Sequence, residues 1–150
     1  MKRLPLALLL CVVSFTALSL FGQGAPPQGA ADAPYTVEYY YKVQWGHQQE
    51  FLDLFLKNHY PLLQKIVASG RMTSVKIETP ANHMPEQERW DYRVTIVFKN
   101  STVANEPFEE DQIKKQLWPD QATYLKEEQR RFEILDAHWD LPIRTVDLDK

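Results

Sequence analysis

The chain has one cysteine, Cys11, and that residue lies inside an apolar N-terminal run. Without that run no thiol remains. Disulfides, a thiolate nucleophile and a cysteine-ligated metal site are all excluded. Histidine is scarce as well. The four are His47, His59, His83 and His138, and no two stand three or four residues apart. Helical metal ligands need that spacing, so no metal site is expected. There is no serine-centred elbow, phosphate loop or dinucleotide fingerprint. No short internal repeat is visible. Basic residues form no stripe, and the net charge is −3. Nucleic acid and anionic membrane surfaces are therefore poor partners.

The N-terminus reads as an export signal over residues 1–24. Lys2 and Arg3 give a positive start, Leu4 to Phe21 is apolar, and Gly22 and Gly24 supply small residues for cleavage. The run is also about as long as a short membrane span, so a retained anchor is the alternative. Leu10 precedes Cys11 and is not small, which argues against lipid attachment. The expected location is periplasmic or extracellular, with no membrane contact after cleavage. Without Lys2 and Arg3, 15 basic residues face 20 acidic ones, a charge of −5. Residues 25–34 are rich in Gly, Ala, Pro and Gln and read as a flexible leader. A single domain is expected over 35–150. That is enough chain to bury roughly two thirds of its unfolded surface.

Hydrophobic periodicity divides that domain. Tyr35 to Val43 alternates as a strand, with Val37, Tyr39, Tyr41 and Val43 on one face. His47 to Ser69 has a helical stripe of Phe51, Phe55, His59, Leu62, Leu63 and Ile66, and Gly70 stops it. Arg71 to Thr79 reads as the second strand. Trp90 to Lys99 is the third, with Trp90, Tyr92, Val94, Ile96 and Phe98 inward. Pro107 opens a second helical stretch that Pro119 interrupts. Ala122, Leu125, Phe132 and Leu135 are its expected apolar stripe, and Glu127 with Arg131 a solvated pair. Trp139 to Leu148 is the last strand, and Pro142 places it at an edge. The order strand, helix, strand, strand, helix, strand is the ferredoxin-like βαββαβ arrangement. It implies an α+β fold: a four-stranded antiparallel sheet with both helices on one face. The other face carries charges of both signs, which suits water or a second copy of the sheet.

This order, together with Phe51, Phe55, His59, Pro61 and Leu62 in the first helix, resembles the dimeric α+β barrel superfamily. It is most similar to the EthD-like and NIPSNAP-like groups. The resemblance implies a homodimer through the sheet face and a pocket between sheet and helices. The superfamily includes monooxygenases without a cofactor, isomerases, haem-handling proteins and members without a known activity. The resemblance alone suggests haem on His59; the residues expect no cofactor. An export signal sets this chain apart from its cytoplasmic relatives.

His59 is the candidate centre. Its stripe neighbours Phe55 and Leu63 point the ring at the sheet, where burial would keep it neutral and able to accept a proton. Pro61 lacks an N–H, so the carbonyl of Lys57 loses its helical partner and Tyr60 is pushed from helical angles. The expected ligand-binding residues are Tyr39, Tyr41, Phe55, His59, Trp90 and Tyr92, with strands one and three at the sheet centre. Aromatic walls with a few polar tips suit a small, partly aromatic ligand. They suit an ordinary core equally, with His59 satisfied by a tyrosine. Two functions follow: an exported ligand-binding dimer, or a cofactor-independent monooxygenase or isomerase with His59 as general base. His47 and His83 carry no expected role. His138 is read as a cap on the last helix. Asn100-Ser101-Thr102 matches a glycosylation acceptor.

Overall fold

The structure, a computed structural model, describes residues 33–148. The expected export signal and nearly all of the expected leader lie outside the described residues. The sheet contains β1 (Tyr35–Val43), β2 (Met72–Glu78), β3 (Tyr92–Phe98) and β4 (Leu135–Ile143). Its order is β2-β3-β1-β4, and every neighbouring pair is antiparallel. This is the ferredoxin-like α+β fold. Strand alternation decides the faces: Val37, Tyr41, Val43, Val94 and Ile96 are buried under the helices. Among the described residues no helix is long and apolar enough to cross a membrane.

The first crossover is two helices, not the single one expected over 47–69. α1 (Gln48–Asn58) buries Phe51 and Phe55, one turn apart, and α2 (Tyr60–Ala68) buries Leu62, Leu63 and Ile66. The break falls on His59, whose φ is −115°. Pro61 lacks the N–H that would bond to Lys57, and the distortion is taken up two residues before it. Glycine sets both ends of the crossover. Gly46 (φ +89°) turns the chain out of β1, and Gly70 (φ +78°) ends α2 with its N–H on the Val67 carbonyl at 2.9 Å.

The second crossover differs more. It has three helices, α3 (Ser101–Asn105), α4 (Glu110–Leu117) and α5 (Gln121–Glu133). Pro107 lies in the loop before α4 rather than opening it. Asn100 caps α3: its side-chain oxygen accepts from the Val103 N–H at 2.8 Å. The expected apolar stripe on α5 is wrong. Leu125 is 61% exposed and Phe132 51% exposed. Pro119 ends one helical phase, and Asp120 starts another by accepting from the Thr123 N–H at 3.2 Å. That cap turns Tyr124 and Arg131, seven residues apart, toward the core.

β4 starts at Leu135, four residues before its expected start, because Ile134 is fully buried and leads straight from α5 into the strand. Pro142 sits opposite Val37 on this edge strand. The open sheet face carries Tyr40, whose ring stacks on Trp139 at 5.4 Å and meets Trp90 edge-on at 5.5 Å. Arg93 pairs there with Glu78 at 2.7 Å and Glu38 at 3.5 Å. The charges of this face thus neutralise one another within the chain.

Candidate functional site

A cavity of about 390 Å³ lies between the helix-covered face of the sheet, α2, the α3–α4 segment and α5. Val94, Ile96, Leu62, Leu63, Ile66 and Met72 give it an apolar floor and wall. Tyr39, Tyr41, His59, Arg131 and His138 also line it, with Arg71, Glu106 and Glu110 at the α3–α4 side. Its mouth is closed from one side by Arg71. That guanidinium donates to the carbonyls of Val103 (2.5 Å) and Glu106 (3.0 Å) and lies 4.7 Å from the Phe108 ring centre. Arg71 therefore ties the α3–α4 loop over the sheet.

The expected residues divide into two sets. Tyr39, Tyr41 and His59 line the cavity. Phe55 stands behind them as a buried wall, 5.2 Å from His59 and 6.3 Å from Tyr41 between ring centres. Tyr92 does not reach the cavity. Its hydroxyl donates to the Gln48 carbonyl at 3.0 Å, and its ring stacks on Phe51 at 5.4 Å. Trp90 is on the opposite side of the sheet, against Tyr40, with the Arg93 guanidinium 5.7 Å from its ring centre. Strand alternation stops short of it: β3 begins only at Tyr92, and the preceding residues follow a different constraint. Arg89 is buried there. It pairs with Asp91, donates to the Val43 carbonyl at 3.0 Å and lies 4.3 Å from the Trp45 ring centre. His83 is exposed beside a shallower depression of about 260 Å³ that Trp45 and Trp90 also line.

Electrostatics fix the protonation states. The His59 ring makes no hydrogen bond among the described residues. Burial, with help from the cations Arg131 and Lys114, lowers its pKa to about 3. The ring is neutral throughout the physiological range. Burial pushes the Tyr39 and Tyr41 hydroxyls up to about 12, so both are protonated donors. Asp140 adds to the rise at Tyr39, while Arg131 opposes it at Tyr41. His138 is lowered by burial against the pull of Asp140, which lies 3.2 Å from its Nε2. It is not a helix cap: it belongs to β4, and its ring centre is 4.5 Å from that of Tyr41.

Arg131 is the residue that sequence reasoning missed. Glu127, its expected partner, instead binds Lys57 at 2.7 Å and Asn58 at 2.8 Å. Arg131 is 2% exposed and pairs with Glu128 through Nε (3.0 Å) and Nη2 (2.8 Å). Its Nη1 is buried without a partner. The sequence signal was available: Tyr124, Glu128 and Arg131 recur at helical spacing. Among the described residues no group of three histidine or carboxylate side chains comes together to hold a metal ion.

The site can therefore surround a flat apolar body and offer it several hydrogen-bond donors. His59 is not a strong base. A ring whose conjugate acid has a pKa of about 3 is a poor proton acceptor near neutrality.

Comparison with known proteins agrees with the fold. No protein-family model matches the chain, and no curated protein matches it. Solved structures do. A hypothetical protein of Arabidopsis thaliana superposes with a TM-score of 0.51 at 10% identity, covering 79% of this chain and 94% of that one. A dimeric ferredoxin-like protein from an uncultured marine organism gives 0.47 at 8% identity, covering 81% and 98%. A NIPSNAP family protein from Agrobacterium tumefaciens gives 0.45 at 10% identity, covering 77% and 96%. At these identities the likeness is one of fold.

Proposed function

We propose that this is an exported protein that binds a small, partly aromatic organic molecule between its sheet and its helices. The observation that carries the reading is the cavity of about 390 Å³, into whose lining Arg131 brings a buried Nη1 without a partner. Pockets for small ligands have this size and this mixture of apolar wall and few polar groups. A core histidine with a tyrosine partner is not what His59 is. The enzyme alternative, with His59 as general base, is weakened by the low pKa of the ring. Binding is therefore the better reading.

The assembly is proposed as a homodimer through the open sheet face. Tyr40, Trp139 and Trp90 form an aromatic cluster there, and Leu141 and Ile143 on the same face are partly exposed. Paired charges around the cluster suit a polar rim.

Native mass spectrometry of the protein purified from its own host tests the binding reading. The expected result is a small organic mass that stays with the folded chain. Replacement of both Leu63 and Ile66 by Trp, which puts two indoles into the cavity, should remove that mass. An empty protein, or the same mass on the filled variant, would overturn the assignment.

A further inference from the structure

We infer that the cavity takes an organic acid, an aromatic ring bearing a carboxylate, with the carboxylate received by Arg131. The inference rests on the binding reading above and names the class of ligand.

The first argument is the guanidinium. Arg131 is 2% exposed and lines the cavity, and its Nη1 has no partner. A buried donor without an acceptor is destabilising. A ligand acceptor at that position removes the deficit. Carboxylates match guanidinium geometry better than any other common head group. Glu128 already holds Nε and Nη2, at 3.0 and 2.8 Å. The guanidinium is thus fixed in orientation, with its remaining nitrogen directed away from Glu128. The rings of Phe132 and Phe51, 4.6 and 5.9 Å from the guanidinium carbon, hold its faces.

The second argument is the balance of donors and acceptors. Arg131 Nη1 is buried without a partner, the Tyr39 and Tyr41 hydroxyls are protonated donors, and the Tyr41 hydroxyl faces the Arg131 guanidinium. Two carboxylates, Glu106 and Glu110, also line the cavity, and each is already paired with a cation, Arg71 at 3.6 Å and Lys114 at 3.0 Å. Opposite Arg131 Nη1 an incoming group must bring an acceptor oxygen, while the neutral His59 ring can accept as well as donate. Size sets the rest of the molecule. A cavity of about 150 Å³ accepts a benzene ring, so about 390 Å³ has room for one or two fused rings and the head group.

Calorimetric titration of the full chain tests the inference, with benzoate, para-hydroxybenzoate and naphthoate set against their primary amides. At least one acid should bind, and its amide should bind about tenfold more weakly or worse. The double variant Arg131→Met/Glu128→Met removes both charges together, which a buried pair tolerates far better than loss of one partner. It should unfold near the wild-type temperature and bind acid and amide alike. An amide that matches its acid, or an acid preference that survives in the double variant, overturns the anionic head while leaving the cavity-binding reading intact. Binding of no probe, with no molecule retained from the host, overturns both.

Discussion

His59 should make the protein sensitive to acid in a way that one substitution can isolate. In the folded chain its pKa is lowered from 6.5 to about 3. In the unfolded chain it returns to the ordinary value. Between these limits the unfolded state binds the extra proton, so stability falls as the pH falls below 6.5. At pH 4.5 the unfolded ring is almost fully protonated and the folded ring is still neutral. Each pH unit across that window is worth about 1.4 kcal/mol. Two units give about 3 kcal/mol, and solvent inside the cavity lowers the figure toward about 1 kcal/mol. Other groups act in the same direction. His138 is lowered by burial, and the Glu50 and Glu86 carboxyls are held at about 2, first by hydrogen bonds from Arg130 and Lys42 respectively. Their contribution is present above the ordinary carboxylate range and is lost as the pH falls toward 2. The variant His59→Gln keeps those groups and removes only the titration at 59. Urea unfolding at pH 7 and pH 4.5 should therefore show a loss for the wild type that exceeds the variant's by about 1–3 kcal/mol. Equal losses in the two proteins would refute a buried neutral imidazole at this position.

Three further outcomes are expected. Arg89→Ala leaves Asp91 without its buried partner and should lower stability by about 3–5 kcal/mol in urea unfolding, since breaking a buried ion pair strands the other charge. Asn100→Ala removes the side-chain cap of α3 and should cost about 1 kcal/mol, with faster amide exchange confined to 101–106. Trp139→Glu places a charge in the aromatic cluster of the open sheet face; sedimentation should show a dimer for the wild type at moderate and high salt and a monomer for the variant. A wild-type monomer under both conditions defeats the barrel assembly.

How much of this could be read from residues alone depended on which physical rule controlled each segment. Strand alternation gave β1, β2 and β3 because each buries one face only, so the period of two survives in the sequence. Pro61 announced a break because it lacks a donor wherever it falls. The α5 face could not be read the same way. Its inward positions include Arg131 and Glu128, and hydrophobicity marks Leu125 and Phe132 instead, which are exposed. The rule that charged residues lie outside failed at an arginine whose charge is paired in the interior. Trp90 failed for a different reason. Its parity matched β3, but the Arg89–Asp91 pair holds the chain before the strand begins. His138 was misplaced only because β4 starts early, behind a fully buried Ile134.

The cavity itself follows from proline placement and helix length. Pro61 breaks the first crossover at His59, and Pro107 and Pro119 bracket α4 in the second. Long continuous helices over this sheet would have laid one apolar stripe along β1 and β3 and filled the space. Instead α3 and α4 have no buried residue, and the segment reaches the sheet through half-buried Phe108, Ile113 and Leu117. It spans the gap as an arch, tied at one foot by Arg71 and at the other by the Asp120 cap. Side chains beneath an arch can keep a polar tip toward open space even where the ring itself packs under a helix, as Tyr41 does against Phe51 and Phe55. That is why Tyr39, Tyr41, His59 and Arg131 can keep polar atoms there, where a fully packed layer would have excluded them. A substitution that straightened either crossover, Pro61→Ala first among them, should close this space before it disturbs the sheet. Loss of the retained small molecule with unchanged unfolding would show it.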